Sequence, residues 1–150
     1  MSNLEAFLAV NPVGHVHVTD SVVFTFEGEP ASKERPRFNP KTGHAYTPAK
    51  TRQMEARIAE IYLFEVGQKF LGPIEMKIYF YLGTRRQRDI DNMAKLVMDS
   101  LNGVAYDDDK QVYALTVVKG YTVKERARTS VQITQMTTAD TESDVRNLLP

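Results

Sequence analysis

At 150 residues, with 25% charged and 42% hydrophobic side chains, the chain is long enough for one soluble domain with a genuine core and too short for several. No apolar run approaches the roughly 20 residues of a membrane helix, no basic segment and apolar stretch mark a signal peptide, and cysteine is absent, which removes disulfides, thiolate zinc sites and cysteine nucleophiles. These exclusions suit a cytoplasmic protein with no membrane partner.

Residues 1–20 show no clear periodicity and are read as an N-terminal arm, with His15 and His17 on it. Ser21 to Phe26 is rich in β-branched and aromatic residues and predicts a strand. Gly28 to Tyr46 carries Pro30, Pro36, Pro40 and Gly43, too many breakers for regular structure, and predicts a long loop. Thr47-Pro48 then opens a helix, with Thr47 as N-cap and Pro48 at the first helical position. Met54, Ile58, Ile61, Tyr62 and Glu65 follow helical spacing, and Gly72-Pro73 is expected to end the element. Ile74 to Leu82 alternates apolar with polar and aromatic residues and is the strongest strand signal. A basic turn, Gly83 to Arg88, leads to a second helix from Asp89 to Leu101, with Gly103 just past its end. Val112 to Tyr121 and Ser130 to Met136 predict two more strands around a charged turn at Lys124 to Arg128. Thr137 to Pro150 is a polar, acidic tail.

The order β-loop-α-β-α-β-β predicts a single α+β domain over residues 21–136, a mixed sheet with helices packed on one face.

The net charge is zero, yet seven basic residues (Lys33, Arg35, Arg37, Lys41, Lys50, Arg52, Arg57) stand between positions 33 and 57 against Glu34 and Glu55. Arg85, Arg86 and Arg88 form a second basic group, while the acids gather in 89–109 and in the tail. A basic rim around an acidic pocket suits a metal-using enzyme with a polyanionic substrate. Asp89 and Asp91 lie two apart where the strong strand hands over to the helix, so that at a strand end both carboxylates face one ion. Asp91, Lys95 and Asp99 are spaced by four on one helical face. Asp107-Asp108-Asp109 precedes the next strand; if that strand pairs beside Ile74 to Leu82, its start falls near Asp89 and the acids converge.

Clustered carboxylates need a cation or protons, and all-oxygen ligands without histidine or cysteine favour Mg²⁺ or Mn²⁺ over zinc. Lys95 is placed to meet phosphate charge. Taken singly, each residue has a plainer reading. Asp89 or Asp91 suits a helix N-cap, Lys95 a surface pair contributing ~0.3–0.5 kcal/mol, and the three later aspartates a turn. An EF-hand starting at Asp89 fails, because Ala94 and Ser100 stand where glycine and glutamate belong. His44 lies in the basic loop, near Tyr46.

The run Arg88-Asp89-Ile90-Asp91-Asn92, then Lys95, Asp99, Leu101-Asn102, then Asp108-Asp109-Lys110-Gln111, closely resembles the RusA family of Holliday-junction resolvases. That pattern reads R-D-x-D-N-x-x-K-x-x-x-D-x-L-N and then D-D-x-Q, and every fixed position is matched. The loop Ser32 to Phe38 with Gly43 to Pro48 is similar to that of phage and prophage members. The resemblance covers residues 30 to 120; the stretches before residue 20 and after Met136 are longer than its pattern.

It implies a homodimeric endonuclease that resolves four-way DNA junctions by paired symmetric hydrolysis with Mg²⁺ (or Mn²⁺), without an organic cofactor. Asp89, Asp91 and Asp109 take the positions of the essential metal-binding carboxylates and Lys95 that of the essential lysine. Lys33, Arg35, Arg37, Lys41, Lys50, Arg86 and Arg88 are expected to engage DNA, with Asn92, Asp99, Asp108 and Gln111 in support. Two alternatives stay open: a DNA-binding protein without catalysis, and a nuclease for other branched DNA such as flaps or forks.

Overall fold

The computed structural model describes residues 20–137; apart from Asp20 and Thr137, the expected arm and tail, with His15 and His17, lie outside the described residues. Strand β4 (Ile74–Leu82) is the centre of the domain. Its alternation puts Ile74, Met76, Ile78, Phe80 and Leu82 on one fully buried face and Glu75, Lys77, Tyr79 and Tyr81 on the other. At roughly 1.5–3 kcal/mol for each large apolar side chain removed from water, that one face is a major part of the core.

Strand β1 (Ser21–Glu27), β6 (Arg128–Gln135), β4 and β5 (Val112–Tyr121) form one sheet in the order β1-β6-β4-β5. β6 runs antiparallel to both neighbours, and β5 runs parallel to β4, so the sheet is mixed. Helix α1 (Ala49–Glu65) and helix α2 (Ile90–Leu101) pack against the apolar face. α2 buries Met93, Ala94, Leu96, Val97 and Leu101, and α1 buries Ile58 and Tyr62. This is the expected α+β domain, a four-stranded mixed sheet with two helices. No helix among the described residues is long and apolar enough to cross a membrane.

Four local expectations are corrected. Pro48, not Thr47, occupies the N-cap of α1, with extended backbone at ψ 144° and no side-chain cap; its locked φ is tolerated there and its missing N–H forfeits no intrahelical bond. α1 stops at Glu65, well before Gly72, since Gly67 adopts φ 68° and its N–H bonds the Tyr62 carbonyl; only glycine takes that left-handed turn without strain. The loop from Gly28 to Tyr46 contains a two-stranded ribbon, β2 (Arg37–Phe38) with β3 (Ala45–Tyr46). β6 begins at Arg128, two residues early, because Arg128 still pairs with Glu27 and Tyr81.

The parallel pairing has a larger consequence. A parallel neighbour must be reached by a crossover, here α2, so Val112 lies level with Ile74 at the start of β4. Asp89 follows the other end of β4. The later aspartates therefore do not arrive beside Asp89.

Candidate active site

Two depressions share helix α2 as their common wall. The first is a basic cleft of about 320 Å³ between the 31–34 loop, the start of α1 and the turn Arg86 to Asp89. The loop is fastened by Lys33, whose N–H donates to the Asn92 carbonyl at 3.0 Å. Its ammonium ion-pairs with Asp99 and, at 3.6 Å, with Glu55. The hydrogen bond that Lys33 donates to Asp99, opposed by burial and aided by the charges of Asp99 and Glu55, holds Lys33 above the ordinary lysine range. Lys33 is therefore engaged within the protein, whereas Arg35, Lys41, Lys50 and Arg86 are exposed, as is Arg37, which pairs with Glu34 at 3.4 Å.

Arg88 is half-buried, and its carbonyl accepts from Lys119 Nζ at 2.7 Å. Its Nε and the Ser32 Oγ, both on residues lining the cleft, are shielded from solvent without a hydrogen-bond partner. Shielded donors of this kind are costly unless something accepts from them. Glu29 sets the start of the basic turn, accepting from Gly83 N–H at 2.9 Å and Thr84 Oγ at 3.0 Å.

Asp89 is the N-cap residue of α2, but its side chain makes no cap hydrogen bond. It accepts instead from Asn92 Nδ2 at 3.3 Å and lines the basic cleft. β4 has ended seven residues earlier, at Leu82, so the strand-end argument for pairing Asp89 with Asp91 does not operate. Asp91 sits in the first helical turn and lines the second depression.

That second depression is a groove of about 350 Å³ between α2 and β5. Asp91, Lys95 and Asp109 line it above an apolar floor of Ile90, Ala94, Met98, Leu115 and Val117. Lys95 is 60% exposed, with its ammonium 3.4 Å from Asp99. Asp99 thus links the loop lysine Lys33 to Lys95 on one carboxylate.

Asp109 begins a 3₁₀ turn, Asp109–Gln111, whose capping box is formed by Asp108 and Gln111. Asp108 Oδ1 accepts from Lys110 N–H at 2.9 Å, and Gln111 Oε1 accepts from Asp107 N–H at 2.7 Å. Gln111 Nε2 donates to the carbonyls of Phe70 and Gly72 at 3.0 and 2.9 Å. Asp108 and Gln111 are engaged in holding the turn, which leaves Asp109 presented to the groove. Asn102 Nδ2 donates to Asp109 Oδ1 at 3.2 Å. The buried Tyr106 donates its hydroxyl to the Met98 carbonyl at 2.8 Å. Burial first, then the charge and hydrogen bond of Asp109, push that hydroxyl well above the tyrosine range.

The geometry brings Asp91, Lys95 and Asp109 to one groove and places Asp89 in the adjoining cleft. Asp91 and Asp109 stand at opposite ends of that groove. Seven residues of helix separate Asp91 from Met98, about 10 Å of axis, and Asp109 is held at the Met98–Asn102 end. Accordingly, no three His, Asp or Glu side chains among the described residues are grouped to hold one metal ion. One or two carboxylates suffice for Mg²⁺, which completes its shell with water and phosphate oxygen. Either end of the groove fits that partial role; neither is a closed cage.

Tyr106 and Glu29 were not singled out from sequence. A buried tyrosine close before an aspartate turn was the available signal for the first; nothing local signals the second.

The family model described as endodeoxyribonuclease RusA matches residues 27–134, most of the chain. A protein of Bacillus subtilis (strain 168) described as uncharacterized protein YqaN is 29% identical over 137 residues, covering 75% of this chain and 96% of its own length.

Proposed function

The chain belongs to the RusA endodeoxyribonuclease family, and from that premise we propose that it resolves four-way DNA junctions by Mg²⁺-dependent phosphodiester hydrolysis, as a twofold dimer. The observation that carries this reading is the groove itself, with Asp91 and Lys95 at one end, Asp109 at the other, and a basic cleft holding Asp89 alongside.

Each residue has a task. The exposed Arg35, Arg37, Lys41, Lys50 and Arg86 take backbone phosphates, and Arg88 and Ser32 offer their unpartnered donors to a phosphate in the cleft. Such contacts position DNA and weaken steeply with salt. Asp89, Asp91 and Asp109 are the carboxylates for the ion, and Mn²⁺ would be accepted by the same oxygens. A Mg²⁺ ion held by them would supply Lewis-acid polarisation of a phosphate oxygen and a bound water of lowered pKa. Lys95, exposed one turn from Asp91, offsets charge on the phosphate oxygens. Asn92, Asp99, Asp108 and Gln111 hold these groups in place.

The same layout supports the proposed dimer. β5 is an edge strand that pairs only with β4 among the described residues, and the groove floor exposes Leu115 (43%) and Ile90 (38%). Two copies related by a twofold axis, with grooves facing and antiparallel, would set Asp91 of one protomer beside Asp109 of the other. Two such sites, oppositely directed, match the two equivalent strands of a junction.

The test is a synthetic four-way junction with Mg²⁺. The wild type should make symmetric paired nicks, and Asp91→Asn should bind normally while cutting at least about 100-fold more slowly. Undiminished cutting by Asp91→Asn refutes the site. Tight binding with no product in Mg²⁺ or Mn²⁺ identifies a binding protein instead. Cutting of flaps or forks in preference to the junction reassigns the substrate.

A further inference from the structure

The ribbon β2–β3 lies outside the four-stranded sheet and, among the described residues, pairs only with itself. In its register Arg37 stands opposite Tyr46, and Phe38 opposite Ala45. Directly opposed residues share a face and neighbours alternate, so Tyr46 lies on one face and Phe38 on the other. Both are open to solvent, Phe38 at 66% and Tyr46 at 48%.

Neither of these two large aromatics, on opposite faces of one short ribbon, packs into the core formed by the described residues. Nor is the ribbon an apolar docking patch, since the same segment carries the exposed Arg35, Arg37, Lys41 and His44. Its tip is well formed: Asn39 N–H donates to the His44 carbonyl at 2.9 Å, and Gly43 N–H to the Asn39 carbonyl at 2.9 Å. Its base is fastened to α2, through Lys33 to Asn92 and Asp99. That base borders the cleft lined by Asp89. A preformed, cationic finger thus projects beside the proposed site of cutting.

We propose that this ribbon is a branch-point wedge, stacking Phe38 and Tyr46 on the terminal base pairs of two neighbouring arms of branched DNA. This rests on the branched-DNA nuclease reading and names the element that selects the branch. Continuous duplex buries both faces of every internal base pair, and opening a step costs stacking energy. At a branch the stacking is already interrupted, so the end faces of the arms are reachable. Base–aromatic stacking is tolerant of sequence, which suits recognition of shape over bases. The cations of that segment neutralise the phosphates that crowd at the crossing.

The experiment measures binding, without cutting, in Ca²⁺ at one stated salt concentration. Wild type, Phe38→Leu, Tyr46→Leu and the double variant are titrated with a four-way junction and with a linear duplex of equal length. Leucine keeps apolar bulk but removes the flat ring. Each single variant should lose about 5- to 100-fold in junction affinity, with duplex affinity and salt slope unchanged. A 2-aminopurine at the branch should change its fluorescence on binding wild type and not on binding the double variant.

Variants that keep the full junction preference overturn the wedge, as do variants that lose junction and duplex affinity equally. A wild type with no junction preference overturns it too, even where cutting persists. Cutting assays run in parallel in Mg²⁺ separate the two readings. Loss of the wedge leaves Asp91-dependent cutting standing, whereas absence of cutting refutes the nuclease reading and leaves the binding result intact.

Discussion

Two inactive variants should make one active dimer. Asp91→Asn and Asp109→Asn remove carboxylates from opposite ends of the same groove. About 10 Å of helix axis separates Asp91 from Met98, and Asn102 ties Asp109 at that far end. Oxygens bound to one Mg²⁺ lie only about 4 Å apart, so one ion cannot join both ends within a protomer. If facing protomers supply one carboxylate each, a mixed dimer carries one site with both residues changed and one site wholly intact. Co-expression with two different tags and tandem purification isolates that dimer. It should nick four-way junctions at about half the wild-type rate, one intact site of two. Single nicks should replace paired incisions, and each parent homodimer should be inactive. A mixed dimer as inactive as its parents refutes the shared site.

Gln111→Ala removes the acceptor for Asp107 N–H and the donor to Phe70 and Gly72; at about 1 kcal/mol per hydrogen bond, the loss should be about 2–3 kcal/mol in urea unfolding at unchanged m, with cutting impaired through Asp109. A loss below about 0.5 kcal/mol refutes the capping account. Lys33→Met should cost about 1–2 kcal/mol by removing a hydrogen-bonded partner of the half-buried Asp99, which is left with the exposed Lys95 at 3.4 Å, yet leave the salt dependence of DNA binding unchanged, while Arg35→Gln should lower the salt slope by about 0.9. Lys33 is held above its ordinary range, so its stabilisation is complete below that range and is lost only as pH rises through the raised value. The cost of Lys33→Met should therefore stay constant from about pH 6 to 9 and shrink only in strong alkali.

Periodicity made the sheet and helices legible, because β4 and α2 have one wet and one dry side and their residues repeat at periods of 2 and 3.6. Ends were less legible. Gly67 and Gly72 look alike in sequence and both take positive φ, but it is Gly67 whose N–H closes on Tyr62 at the end of α1. The ribbon inside the proline-rich loop escaped because two residues per strand leave no period to read. Lys33 looked like any other basic loop residue until Asp99 and Glu55 were seen around it. Spacing located the acids on one element each; it carried no information on whether the next strand pairs parallel or antiparallel. That choice moves the start of β5 from one end of β4 to the other, and Asp109 with it.

The separation of the acids also has a physical rationale on the proposed reading. Three ionised carboxylates held within about 4–6 Å repel, and without an ion some must take up protons. A protomer that collected Asp89, Asp91 and Asp109 by itself would carry that repulsion through folding and depend on metal for stability. Here Asp89 is settled by Asn92 and Asp109 by Asn102, at distances of 3.3 and 3.2 Å, so each is satisfied locally without an ion. On that reading the repulsive assembly would form only when two protomers meet, with Mg²⁺ and the basic cleft to compensate it. Cutting would then require two copies in register, which would tie each incision to the presence of the site that makes the other.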